Sequence, residues 1–210
     1  MVDKISSWRY VEDFASETEA MTRARMRAEE LGVECITAST GSHLAVLAAA
    51  SSAKAIVEAG TGTGLSGLWL LSASTDSVLA TIDIDPENQA AARTAFTEAG
   101  IRANRTRVIA GHALDVMSNM ADAAYDLVFL DADRETFEEQ LHESARLLKP
   151  GGVVAVAHAL WRDRVPDPAM RDDSTVAYRD VIRFFKNQTD SFVSALSPVG
   201  DGLLLAVRKP

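Results

Sequence analysis

Residues Val57 to Ser66 read V-E-A-G-T-G-T-G-L-S, and this stretch restricts the fold more than any other in the chain. An apolar run, AKAIVEAG, enters a loop with glycines at Gly60, Gly62 and Gly64, and an amphipathic run, SGLWLLSAS, leaves it. Strand, glycine turn and helix form the entry to a nucleotide site in a doubly wound sheet. Glycines let the backbone approach a ligand with no Cβ in the way. Asp83 follows in T-I-D-I-D-P, 19 residues past Gly64. A carboxylate there can accept hydrogen bonds from ribose hydroxyls. The pairing points to an adenosine-bearing cofactor.

The remainder of the chain agrees with one alternating α/β domain. Strands are expected near 55–59, 78–84, 106–110, 125–130 and 152–157. Helices are expected between them, near 64–73, 86–99, 112–120 and 134–148. Asp85-Pro86-Glu87 is a helix start, with a capping acid, proline in the first turn and an acid behind it. Lys149-Pro150-Gly151-Gly152 ends a helix and turns into the next strand. A helix near 175–188 and two short strands, 191–196 and 202–208, joined by SPVGDG, close the chain as a hairpin. Upstream, residues 9–30 read as one helix and 40–52 as another. A single domain over 1–210 is expected, with N-terminal helices in 1–50 and a cofactor-binding core in 51–210.

Charge and cysteine content narrow the partners. A net charge of −9 argues against a broad nucleic-acid footprint, leaving only a local basic patch at Arg102, Arg105 and Arg107. The single cysteine, Cys35, permits no internal disulfide and reads as a buried small residue. With no run of membrane-spanning length and no signal-like start, a cytoplasmic location is expected.

Further motifs carry a resemblance. Glu58 precedes the glycine loop, L-K-P-G-G leads into the fifth strand, and the sheet closes with an antiparallel hairpin. I-T-A-S-T-G, E-A-G-T-G-T-G-L-S, I-D-I-D-P, Y-D-L-V-F-L-D-A-D-R and S-P-V-G-D-G-L-L-L-A complete the set. From about residue 36 to the C-terminus the chain resembles the S-adenosylmethionine-dependent O-methyltransferases of the catechol and caffeoyl-CoA type. The resemblance implies a class I methyltransferase fold, a Rossmann-like three-layer sandwich around a seven-stranded, mostly parallel sheet. It implies S-adenosyl-L-methionine as cofactor, O-methylation of a small hydroxylated, aromatic acceptor, and a homodimer. Gly60, Gly62 and Gly64 would pass the methionine part and ribose, and Ser66 at the helix start would hold the cofactor carboxylate. Asp83 would take the ribose hydroxyls, and His112 and Ala113 would lie at the adenine edge. Glu58 would orient the loop or the cofactor amine. Asp131, ending the strand V-F-L-D, would project into the crevice.

Two positions depart from the family pattern. Its metal-dependent members hold Mg²⁺ with three oxygen ligands: an Asp at the position of Asp131 and an adjacent Asp-Asn pair in a D-N-x-L-W context. Here that pair is Ala157-His158. One carboxylate and an imidazole make a poor Mg²⁺ site. The family's lysine in D-A-D-K is Arg134, which cannot serve as a base. A divalent metal is therefore doubtful. A metal-free reaction with His158 as general base is the first expectation, with Arg134 stabilising an oxyanion or binding an acidic acceptor. A softer metal held by Asp131, His158 and Asp133 is a second reading. His158 as a plain strand-end residue stays open. So do methylation of a tRNA nucleoside hydroxyl and a cofactor-binding protein without turnover. Trp161 either stacks on an acceptor or anchors its loop in the core.

Overall fold

A computed structural model describes residues 4–132 and 134–210, without the side chains of residues 4 and 5. Asp133 lies outside the described residues. Seven strands form one sheet: β1 Ala55–Ala59, β2 Val78–Asp83, β3 Thr106–Ala110, β4 Tyr125–Leu130, β5 Leu148–Val156, β6 Phe192–Ser197 and β7 Leu203–Arg208. Their order is β3-β2-β1-β4-β5-β7-β6. β1 to β5 run parallel, and β7 is antiparallel to both β5 and β6. The order reverses beside β1, between β2 and β4, and the crevice past the strand ends there is where such sheets bind ligands.

Strand alternation divides the interior into two cores. Ile56, Leu79, Leu127, Phe129 and Ala155 point to one face. That face is covered by α2 (Glu19–Leu31), α3 (Ala38–Ala50), α4 (Leu65–Ser72) and α5 (Pro86–Glu98). Val57, Ile82, Val128, Leu130, Val154 and Val156 point to the other. α6 (Ala113–Met117), α7 (Phe137–Leu147) and α8 (Asp173–Asn187) cover that side. The central strands are buried on both faces, so they read as unbroken apolar runs. Each fully buried Leu, Ile or Phe contributes roughly 1.5–3 kcal/mol relative to exposure.

The structure corrects several boundaries. The helix expected over 9–30 is two, α1 (Lys4–Phe14) and α2, because Thr18 leaves helical geometry to cap α2 through Met21 N–H. A capping threonine inside a periodic run competes with continuation of the helix. α7 starts at Phe137, after a turn at residues 134–136. β5 begins at Leu148, so the Lys-Pro-Gly-Gly segment lies in the strand, with a register shift against Tyr125. Arg105 is buried, and its guanidinium donates to the carbonyls of Leu71, Ser74 and Ser77. It ties loops together, which removes it from a surface patch.

Candidate active site

A cavity of about 230 Å³ opens at the reversal point. The glycine loop Gly60–Thr63, the start of α4 at Leu65 and Ser66, and the β2 end at Asp83 form one side. Gly111, His112 and Ala113 form a second, and Asp131 with Ala132 a third. Val33, Glu34, Cys35 and Ile36, between α2 and α3, complete the wall.

Local physics explains the loop. Gly60 has φ +94°, and a Cβ there would meet the Asp131 carbonyl at 2.0 Å. Gly64 has φ +87°, and its Cβ would press on Ala92 of α5 at 3.0 Å. The first glycine brings the loop against β4, and the last packs α4 onto its neighbour. Gly62 N–H donates to Asp83 Oδ2 at 2.9 Å, and Asp85 N–H donates to Asp83 Oδ1 at 2.9 Å. The carboxylate is thus aimed before any ligand arrives. Thr63 Oγ1 donates to the Ala24 carbonyl at 2.8 Å and fastens the loop to α2.

Of the expected cofactor residues, Gly60, Gly62, Ser66, Asp83, His112, Ala113 and Asp131 line the cavity. Gly64 and Glu58 stand behind it. Glu58 is fully buried under the loop and accepts from Thr81 Oγ1 at 2.6 Å. Burial pushes its carboxyl up to about 7, against the pull of hydrogen bonds from Ser66 and Thr81. Cys35 is half-buried: it packs against the core on the side of α2 and α3 and also lines the cavity. Val33, Glu34 and Cys35 carry no motif, and Ile36 entered only as the first residue of I-T-A-S-T-G.

The other half of the site is built where β4 and β5 end. Past β5 the chain makes consecutive turns with His158, Trp161, Arg162 and Asp163 all at positive φ, 44–59°. Side-chain-bearing residues pay strain there and hold it only when surrounding contacts fix them. The turn before β7 supplies those contacts. Ala159 N–H donates to the Gly202 carbonyl and Leu160 N–H to the Asp201 carbonyl, both at 2.9 Å. Arg162 N–H donates to Asp201 Oδ1 at 2.5 Å. Gly202, at φ +90°, passes so close that a Cβ would reach Leu160 N at 2.4 Å.

This framework holds His158 between two carboxylates. Its Nε2 lies 3.6 Å from Asp131 Oδ1, and its Nδ1 lies 3.4 Å from Asp201 Oδ2. The imidazole is only 9% exposed, and Asp131 stands between it and the cavity. Burial raises the Asp131 carboxyl, opposed by the charges of His158 and Arg134. Arg134 sits with its guanidinium carbon 4.0 Å from the Trp161 ring centre, and its Nε is 3.4 Å from Tyr178 Oη. Trp161 stacks on Tyr178 at 5.3 Å and is buried, so it anchors the turn in the core. Burial drives the Tyr178 hydroxyl up to about 12, against the pull of Arg134.

The residues around Asp131 do not fit Mg²⁺. Ala157 offers a methyl where a carboxylate would be needed, and the imidazole contributes nitrogen. Among the described residues no three His, Cys, Asp or Glu side chains are grouped to hold a metal ion. Asp133 of the softer-metal reading falls outside them.

Comparison with known proteins agrees with this geometry. A family model described as O-methyltransferase matches residues 10–209. A Mycobacterium tuberculosis protein named "Probable O-methyltransferase Rv1220c" is 45% identical over 204 residues, covering 97% of this chain and 91% of that one. A Mycobacterium ulcerans relative is 46% identical over 200 residues, 95% and 89% of the two chains. A crystal structure from Corynebacterium glutamicum superposes with a TM-score of 0.89 at 29% identity, covering 99% and 98%. The O-methyltransferase TomG of Streptomyces achromogenes, involved in tomaymycin synthesis and solved in complex with SAM, gives 0.85 at 26% identity over the full length of both. With a seven-stranded sheet, a glycine-loop cavity and a family match over nearly its whole length, this chain belongs to the O-methyltransferase family.

Proposed function

We propose that this O-methyltransferase uses S-adenosylmethionine to methylate a hydroxyl of a small aromatic acceptor, without a divalent metal and with His158 as general base. The observation that carries the reading is the imidazole wedged between Asp131 and Asp201 where the family pattern has metal ligands. Bound in the cavity, S-adenosylmethionine supplies a methyl on a cationic sulfur, and the acceptor oxygen that bonds to that carbon releases the thioether. Asp83 suits the ribose hydroxyls, and the backbone N–H groups that open α4, with Ser66, suit the carboxylate. His112 and Ala113 suit the adenine edge. TomG, a structural neighbour, was solved in complex with SAM.

His158 and Asp131 divide the acceptor chemistry. Asp131, in the cavity wall, takes the hydroxyl proton as the oxygen attacks and hands it on to Nε2 of His158 behind it. Arg134 places a positive charge near the oxygen as it becomes anionic. With no metal to acidify the hydroxyl, the base needs an acceptor whose proton is already loose. A phenol, at a pKa of about 10, meets that need far better than an alkyl alcohol. No described helix is long and apolar enough to cross a membrane. The single cysteine fits a reducing cytosol, and exposed Tyr10, Val11 and Phe14 on α1 fit a homodimer contact.

The test is turnover of labelled cofactor by chelator-stripped protein against a panel of phenols and catechols. The expected result is methylation that persists in chelator and falls roughly 100-fold or more in His158→Gln, with affinity for S-adenosylhomocysteine unchanged. Activity that appears only with added Mg²⁺, Mn²⁺ or Zn²⁺, or a His158→Gln variant at the parent rate, would overturn it.

A further inference from the structure

We infer that Asp201 is a positioning residue that fixes the tautomer of His158, so that Asp201, His158 and Asp131 work as one chain of groups leading to the crevice. The inference rests on the reading of His158 as the base. Asp201 belongs to the S-P-V-G-D-G turn between β6 and β7, far in sequence from both partners. Its Oδ2 and His158 Nδ1 are buried, and neither has a hydrogen-bond partner among the described residues. They face each other at 3.4 Å. Buried polar atoms left without partners are costly, and a small closing movement gives each the other.

The direction of that bond is dictated by the second oxygen. Asp201 Oδ1 already accepts from Arg162 N–H, so the carboxylate cannot swing away. Oδ2 can only accept and is the nearer of the two carboxylate oxygens, 3.4 Å against 3.6 Å for Asp131 Oδ1, so the ring proton of neutral His158 belongs on Nδ1. Nε2 then carries the lone pair and faces Asp131 and the cavity, as a base must. When the acceptor proton arrives on Nε2, both ring nitrogens carry hydrogen, and Asp201 stabilises the resulting cation. An acid behind a histidine performs this orienting role in hydrolytic triads without itself taking the proton. The left-handed backbone at His158 fits the same purpose, since it turns the ring into the gap between the two carboxylates.

Asp201→Asn separates positioning from packing. The side-chain oxygen of asparagine must stay on Arg162 N–H, which turns its amide nitrogen toward His158 Nδ1. The amide can only donate there, so the ring proton moves to Nε2 and the base is blocked at unchanged shape. Nitrogen-15 spectra of histidine-labelled protein with S-adenosylhomocysteine bound read the tautomer directly. The chain has four histidines, and His158→Gln identifies the signal. The expected result is a protonated Nδ1 in the parent protein, a protonated Nε2 in Asp201→Asn, and equal affinity for S-adenosylhomocysteine. With a phenol that the parent methylates, kcat should fall by about 100-fold while KM stays within about twofold. A bare Nδ1 in the parent protein overturns the inference with no variant needed, and so does an Asp201→Asn spectrum identical to the parent's. A His158→Gln variant that turns over normally defeats the base reading instead, so the two failures are distinguishable.

Discussion

The cofactor side and the reaction side of the site are assembled in opposite ways. The cofactor side is local. Gly60, Gly62 and Asp83 come from one β-α-β unit, and their hydrogen bonds join residues about twenty apart, as in Gly62 N–H to Asp83. The reaction side is gathered from three distant segments: Asp131 after β4, His158 after β5 and Asp201 before β7. Hydrogen bonds pre-set the first. Strained backbone and close-packed glycine hold the second. A site of the first kind tolerates little change, because one short β-α-β unit sets all of its spacings at once. One of the second kind can be rebuilt, and the Ala157-His158 pair occupies such a place.

Gly60 is where the two halves touch, so its substitution should have the largest effect. A methyl there would lie 2.0 Å from the Asp131 carbonyl, at a backbone angle that favours glycine. Gly60→Ala is expected to cost on the order of 4 kcal/mol in stability and to abolish binding of S-adenosylhomocysteine, as read by urea unfolding and calorimetry. The His158 nitrogen signals should move too, because Asp131 is displaced. If binding is lost while those signals stay put, the halves are independent and the comparison sharpens.

Asp83→Ala tests the cofactor half alone. It deletes the carboxylate that Gly62 and Asp85 amides aim into the cavity. Two charge-assisted hydrogen bonds to a ligand are worth about 3 kcal/mol together, so affinity for S-adenosylhomocysteine should weaken roughly 100-fold. The His158 tautomer should not change. A weakening of less than about threefold would remove Asp83 from the site.

The difference between the halves also decides what sequence could show. The glycine loop, Asp83 and the helix cap at Asp85 are short-range features with fixed spacing, and all were readable as residues. The strand alternation and the closing hairpin were readable as well, whereas the order of the strands rests on long-range pairing that no local pattern carries. His158 was visible only because it replaces a patterned residue. Asp201 stood in a motif with no role attached, since its partner lies 43 residues away, from 158 to 201. Val33, Glu34 and Cys35 gave no signal, because a cavity wall needs only side chains of the right bulk at the right place. The split of the first helix at Thr18 was missed because its periodicity continues across the cap.

Glu58 gives a smaller, pH-dependent effect on the cofactor side. Its carboxyl is raised from 4.5 to about 7 by burial, so the folded state holds a proton that the unfolded chain releases. A raised carboxyl contributes stability that is full below pH 4.5 and lost as pH rises to about 7. The loss is bounded at about 3 kcal/mol. Glu58→Gln keeps the shape and removes the titration, so its stability should change less than the parent's between pH 5 and pH 8. Urea midpoints at the two pH values measure the difference, and parallel slopes for parent and variant would show that Glu58 stays ionised in the fold.

The smallest effect should come from the ion pairs that clasp α2 to α5. Arg23 meets Glu98 at 2.6 Å and Arg27 meets Glu87 at 3.1 Å, all with substantially exposed side chains. α2 leads into the Val33–Ile36 wall, so these pairs are candidates for holding the cavity closed. Their exposure argues otherwise, since such pairs are worth about 0.2–1 kcal/mol and weaken in salt. The buried Ala20, Met21, Ala24 and Ala28, with the Thr63 bond to Ala24, hold α2 instead. Arg27→Ala should therefore leave affinity for S-adenosylhomocysteine within about twofold, while Thr63→Val, which breaks a buried bond, should cost about 1 kcal/mol of stability and weaken binding more. A large, salt-sensitive loss in Arg27→Ala would mean that this wall is an electrostatic lid. The cofactor half would then depend on distant contacts as much as the reaction half does.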